Sequence, residues 1–323
     1  MKVFIPLRGP EINDIHAEYE RFLGDFRKLK DTYLLKKQID NYETKYQRIE
    51  ELKFNVIYSS KFAKKQNKQI QKISNIHESF KVDYIEDFLV IYIIFKNKNS
   101  DNEEYSSIII NQILQRLILL LNLTYATKID FLPGVIYSND GRFLSETEII
   151  LSNLDFAYEI QLKTKWPKIY KLKLTQTLEW YSSNGLHIDF NSRNKLHRAI
   201  NSFSYQFSNI IEHDTSILFW TMLGIEALLA EGNVNIINQI KAKTALILGE
   251  PEEFKKRLDK LYNYRSRFVH GDIDFPAKFS SDYENFESEY YEYLNFATSI
   301  LLSLIRTLII QNKSEFKFIY KLN

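Results

Sequence analysis

The sequence predicts a mainly α-helical protein, with a C-terminal helical bundle (174–323) preceded by a mixed α/β N-terminal domain (1–165). Three observations carry this. Apolar residues recur at helical spacing through the C-terminal half, beginning with Leu196, Ile200, Phe203 and Phe207. The run SILFWTMLGIEALLAE from Ser216 to Glu231 is almost wholly apolar and is closed by Gly232. In the N-terminal half, VDYIEDFLVIYIIF from Val82 to Phe95 is dense in aromatic and β-branched residues, the composition of strand.

Taken in chain order, about Asn13 to Glu51 is polar, charged and proline-free, which reads as a helical hairpin or one long helix. Val82 to Phe95 is the strand just described. Ser106 to Leu123 has the apolar density of a buried helix, and Lys128 to Leu144 carries strand-like runs with a turn at Asn139-Asp140-Gly141. The basic, proline-broken stretch around Trp166-Pro167 is expected to connect the two domains or to form an edge strand. Beyond it come the helix of Leu196, the helix of Ser216, and a third marked by Ile236, Ile237, Ile240, Ala245 and Leu246. A fourth opens at Pro251, with Glu252 and Glu253 placed for the helix dipole, and runs to His270, where Gly271 supplies the left-handed stop. The last helix is expected from about Tyr283 to Ile310.

With 323 residues, two domains is the natural partition. Composition is that of a globular protein: 45% hydrophobic and 26% charged residues argue against a mostly disordered chain. Lys and Arg number 43 against 41 Asp and Glu, so attraction to phosphate has to come from local patches rather than net charge. The absence of cysteine removes disulfides, thiolate metal sites and cysteine nucleophiles. The N-terminus, MKVFIPLRGPEIND, lacks the apolar core of a signal peptide, and apolar runs such as Leu117 to Leu121 fall short of a membrane span. The expectation is a soluble cytoplasmic protein.

The stretch that points to chemistry is Tyr262-Asn263-Tyr264-Arg265-Ser266-Arg267-Phe268-Val269-His270-Gly271-Asp272. Arginine is a permanent planar fork for phosphate, and histidine is the side chain best suited to move protons near neutral pH. The spacing alone is close to coincidence, and the plain reading is two helix-end cations facing the C-terminal dipole. On an ideal helix five residues subtend about 140°, so the two side chains do not share a face. Either the last turn unwinds near His270 or a second subunit completes the site.

The run Arg-Ser-Arg-Phe-Val-His-Gly, preceded upstream by Trp-Thr-Met-Leu-Gly-Ile-Glu-Ala-Leu-Leu, resembles the ApeA-like branch of the HEPN superfamily, over about Leu174 to Ile310. That resemblance implies a HEPN-like helical bundle, and in many members a metal-independent endoribonuclease site built on an arginine and a histidine. It also implies a homodimer whose two motifs face one cleft, no cofactor, and a role in antiphage defence or as a toxin, with tRNA a target of some members. By the same resemblance Arg265 binds the scissile phosphate and His270 is general base or acid for attack by the RNA 2′-hydroxyl. Ser266 stands where the superfamily often has Asn, Asp or His, and is placed to bind substrate or orient His270. Glu226 matches the family's glutamate. As the lone charge on an apolar helix it needs a partner, Arg265 or Arg267; it also reads simply as a structural carboxylate, and Arg267 as a solvated charge. The lack of cysteine and of metal-ligand spacing is in keeping with metal-free chemistry.

Two basic patches suggest contacts to RNA. Lys61, Lys64, Lys65, Lys68 and Lys72 lie on one helical face with no acidic residue from Lys61 to Ile76. Lys163, Lys165, Lys168, Lys171 and Lys173 cluster beside Trp166 and Tyr170. Each patch also reads as an ordinary solvated face. His187 with Asp189, and His213 with Asp214, read as turns or caps, and His77-Glu78 lacks the second histidine of a zinc-protease helix. Three functional classes stay open at this level: an endoribonuclease, a non-catalytic HEPN module binding RNA, nucleotide or a partner protein, and a helical scaffold.

Overall fold

A continuous apolar run buried on both faces builds the first strand. In β1 (Lys2–Arg8), Val3, Phe4, Ile5 and Leu7 are buried, and Val3, Ile5 and Leu7 lie opposite Ile93, Ile91 and Leu89 of β3 (Leu89–Asn97) in antiparallel register. The computed structural model describes residues 2–8, 24–25, 49–58, 89–97, 103–168, 170–186, 191–208, 215–232, 234–274 and 284–318. β2 (Ile49–Tyr58) pairs with the outer side of β3. On the other side of β1 lie β4 (Asp130–Phe131) and β5 (Val135–Tyr137), and β5 pairs in turn with β6 (Phe143–Glu146). The sheet order is β2-β3-β1-β5-β6, with β4 also on β1. Gly134 is required beside it: a Cβ there would lie 2.4 Å from the carbonyl oxygen of Phe4.

Among the described residues eight helices follow, and the protein is mainly α. They are α1 (Glu103–Thr124), α2 (Asp155–Thr164), α3 (Leu174–Ser183), α4 (Lys195–Ser204), α5 (Ser216–Leu229), α6 (Ile236–Leu248), α7 (Phe254–His270) and α8 (Glu284–Gln311). Helix α8 is the core helix, packed against α5, α2 and α4, with Leu294, Ala297, Ile300, Leu301, Leu304, Ile305 and Leu308 all buried. A helix apolar on all sides belongs in a core. Its Ser299 and Thr307 hydroxyls donate to backbone carbonyls of the same helix, and Ser303 accepts from the Gln161 amide of α2 at 2.8 Å. Gly224 brings α5 close to α8, since a Cβ there would meet Leu301 at 2.8 Å.

The N-terminal and C-terminal segments share one hydrophobic cluster, running from Val3 through α1 to Ile309. A buried cation ties them further. Arg306 of α8 donates through Nε to the Leu123 carbonyl (3.0 Å) and through Nη2 to the carbonyls of Asn122 (3.3 Å) and Tyr125 and to the Tyr158 hydroxyl (3.1 Å). These carbonyls close the C-terminal end of α1, where a cation is favoured.

Several expectations need correction. The expected strand is present as Leu89–Asn97, its first part from Val82 lies outside the described residues, and Ile49 to Glu51 belong to β2 rather than to a helix. The remainder of the proposed helical segment from Asn13, apart from Gly24 and Asp25, and the lysine face of Lys61 to Lys72 lie outside the described residues. Phe207 leaves the helical stripe to form β8 (Phe207–Ser208), paired with β7 (Leu151–Ser152). Pro251 does not open α7: it forms a turn, with the Phe254 N–H donating to its carbonyl, and Glu253 in the left-handed region delays the helix to Phe254. The Trp166-Pro167 stretch is loop rather than strand; Trp166 is buried, and its indole N–H donates to the carbonyls of Leu248 and Gly249. Finally, Glu289–Gln311 is long and apolar enough to cross a membrane, though 94% of its apolar window is buried in the fold.

Candidate active site

Helix α7 presents the motif. Phe254, Leu258, Leu261 and Tyr262 form its buried stripe, and Arg265 continues that stripe toward α5. The helix stays regular through His270. Gly271 then takes φ +79°, donating to the Phe268 carbonyl (3.3 Å), while the Asp272 N–H donates to the Arg267 carbonyl (2.8 Å). This is the bond pattern of a glycine-terminated helix. The last turn therefore does not unwind, and one of the two expected ways of bringing Arg265 and His270 together is removed. Arg265 faces α5 while His270 is exposed, so within one protomer they occupy different faces.

On α5, Phe219, Leu223 and Glu226 share a stripe. An Nη of Arg265 lies 3.8 Å from a Glu226 carboxylate oxygen, with side-chain exposures of 31% and 17%. The expected partner of Glu226 is thus Arg265. Arg267 turns away instead, donating to the Asp272 carbonyl at 3.4 Å. Burial raises the pKa of the Glu226 carboxyl, and Arg265 opposes that only in part. Beneath the pair lies Tyr262, whose hydroxyl is buried without a hydrogen-bond partner; burial and the Glu226 carboxylate push it far above the usual phenol range, against the opposing charge of Arg265. The Nε of Arg265 is also buried and unpaired, and its guanidinium carbon sits 6.0 Å from the centre of the Phe219 ring.

This arrangement has a definite chemical character. The guanidinium has a buried, unpaired Nε on a side chain that is only partly buried, and it is held by a long contact to a carboxylate that burial disfavours as an anion. A phosphate competes well for such a group, because it can accept two parallel N–H bonds at once. Ser266 and His270 are both exposed and lie one turn apart on α7, so they share an outward face. Of the second basic patch, Lys163, Lys165, Lys168, Lys171 and Lys173 are all exposed, with Lys163 paired to Glu159 and the Lys168 ammonium 5.4 Å from the Tyr170 ring centre. Among the described residues no cluster of three or more His, Asp or Glu could hold a metal ion.

Sequence reasoning passed over Tyr262, Phe219, Trp220 and Tyr205. Tyr262 stands three positions before Arg265 and Phe219 seven before Glu226, so helical spacing alone places both beside the motif. Tyr205 and Trp220 come together only through the packing of α4 against α5. Comparison with protein-family models, with curated proteins and with solved structures returned no match.

Proposed function

We propose that the protein is a metal-independent endoribonuclease of the HEPN type, acting as a homodimer in which Arg265 of one copy and His270 of the other face a common cleft. The observation that carries this reading is the partly exposed side chain of Arg265, 3.8 Å from Glu226 of α5 and on the same helix α7 that ends in an exposed His270. The regular last turn supports the two-copy arrangement, since one helix cannot aim both side chains at one phosphate.

In this mechanism the 2′-hydroxyl oxygen attacks the adjacent phosphorus, forming the O2′–P bond as the P–O5′ bond breaks. A histidine removes the 2′-hydroxyl proton, and a proton is delivered to the departing 5′-oxygen. Arg265 stabilises the charge that builds on the non-bridging oxygens. The products are a 2′,3′-cyclic phosphate and a 5′-hydroxyl. Ser266 lies beside His270 and orients it or the substrate, and Lys168 and Lys171 attract the RNA backbone at longer range. A role in antiphage defence or as a toxin, with tRNA a candidate target, follows from the family resemblance alone.

Mixing tests the shared cleft. Co-expressed Arg265→Ala and His270→Ala chains, which are inactive as homodimers, should recover activity in the mixed dimer, where one cleft side keeps both groups. A strictly monomeric protein, or activity confined to chains carrying both residues, contradicts it.

A further inference from the structure

The aromatic side chains beside Arg265 are more exposed than burial economics favours. Phe219 is 37% exposed and Tyr205 is 44% exposed, and Trp220 between them is half-buried. The three are in mutual contact: Tyr205 and Trp220 stack with ring centroids 4.3 Å apart and planes 7° from parallel, and Phe219 meets Trp220 edge-on at 5.4 Å. Phe219 in turn lies under the Arg265 guanidinium. The surface therefore runs continuously from a phosphate-binding cation to a ring stack whose outer end is open.

A cation followed by aromatic faces matches a nucleotide, which presents a phosphate and then a flat base. Base-on-ring stacking requires the base to be unpaired, because in a duplex both of its faces are already stacked. We infer that Phe219, Trp220 and Tyr205 form a base-stacking subsite that holds an unpaired nucleobase next to the phosphate on Arg265. Resting on the endoribonuclease reading, the subsite makes these residues determinants of specificity for RNA that is single-stranded at the cleavage point. A protein partner is the competing occupant of such a patch. Charge favours RNA: the Arg265 cation at the edge of the cluster is partly exposed and meets the Glu226 carboxylate only at 3.8 Å, so the patch is matched to an anion.

Trp220 reports directly on occupancy, since the other two tryptophans, Trp166 and Trp180, are buried. The full-length protein is titrated with a short 2′-O-methyl oligouridylate, which cannot be cleaved, and with the same strand annealed to its complement. Saturable quenching of tryptophan emission by the single strand, at least about tenfold weaker for the duplex, is expected. Tyr205→Ala and Phe219→Ala, both at exposed positions, should each lose about tenfold in affinity with unchanged circular dichroism. Equal affinity for strand and duplex, absent quenching, or unchanged affinity in both variants overturns the subsite. So does conversion of a dimer to a monomer by these variants with RNA affinity intact, which assigns the patch to a protein interface. Cleavage of the unmodified strand is scored in parallel. Quenching without cleavage refutes the nuclease and leaves the subsite standing, whereas cleavage with no loss of apparent affinity in either variant refutes the subsite alone.

Discussion

Replacing Arg306 by methionine should destabilise the protein severely although the residue is remote from the site. Arg306 is 1% exposed and makes charge-assisted bonds to three carbonyls and one hydroxyl at the end of α1. Methionine fills much of the volume but donates nothing. The single Tyr158 hydroxyl proton still reaches the Tyr125 carbonyl (3.0 Å) or the Asn122 carbonyl (3.3 Å) but serves only one of them fully, and the Leu123 carbonyl loses its Arg306 donor. An orphaned buried acceptor costs about 1–3 kcal/mol, and the loss of the charge-assisted set brings the total to about 3–5 kcal/mol. For a chain of this length that lowers Tm by about 2 °C per kcal/mol, or roughly 6–10 °C in all. Differential scanning calorimetry measures the shift. An Arg306→Met variant that melts with wild type would refute the view that this cation joins the two segments.

Other positions give sharper local tests. Gly134→Ala places a Cβ within 2.4 Å of the Phe4 carbonyl and 2.9 Å of Thr147 Oγ1, so denaturant unfolding should show a loss of about 2 kcal/mol or more. Tyr262→Phe removes a buried hydroxyl that lacks a partner, and chemical denaturation should find stability unchanged or raised by up to about 1 kcal/mol; a clear loss would reveal an unseen acceptor. For Glu226 the sign follows from its raised pKa. The native carboxyl keeps its proton to higher pH than the unfolded one, so the wild type loses stability as pH climbs above the ordinary 4.5. Glu226→Gln is exempt from that loss, and its Tm relative to wild type should rise with pH across this window and be flat below it. A difference that falls over the same window contradicts the assignment.

The elements most legible in the sequence were those whose packing is written in local periodicity. Helix α5 is apolar on nearly every side, and α7 ends on a glycine in the left-handed conformation that only its lack of a Cβ makes easy. That Glu226 pairs with Arg265 or Arg267 was legible because a lone carboxylate on such a helix requires a counter-charge, and the structure selects Arg265. What local pattern does not carry is tertiary placement. Phe207 matches a helical stripe but is drawn into a strand by pairing with Ser152, and Pro251 carries a helix-start signal that Glu253 overrides. The Arg306 contacts join groups distant in sequence, so no spacing rule announces them. The stack of Tyr205 on Trp220 was missed for the same reason.

The central claim is metal-independent RNA cleavage at Arg265 and His270, and it is tested most directly by incubating purified protein with total RNA in EDTA and sequencing the new ends. Cleavage leaving 2′,3′-cyclic phosphates and 5′-hydroxyls, lost in both Arg265→Ala and His270→Ala, is the predicted result, with each variant at least about a hundredfold slower. Equal inertness of wild type and both variants, or cleavage that survives either substitution, would contradict it.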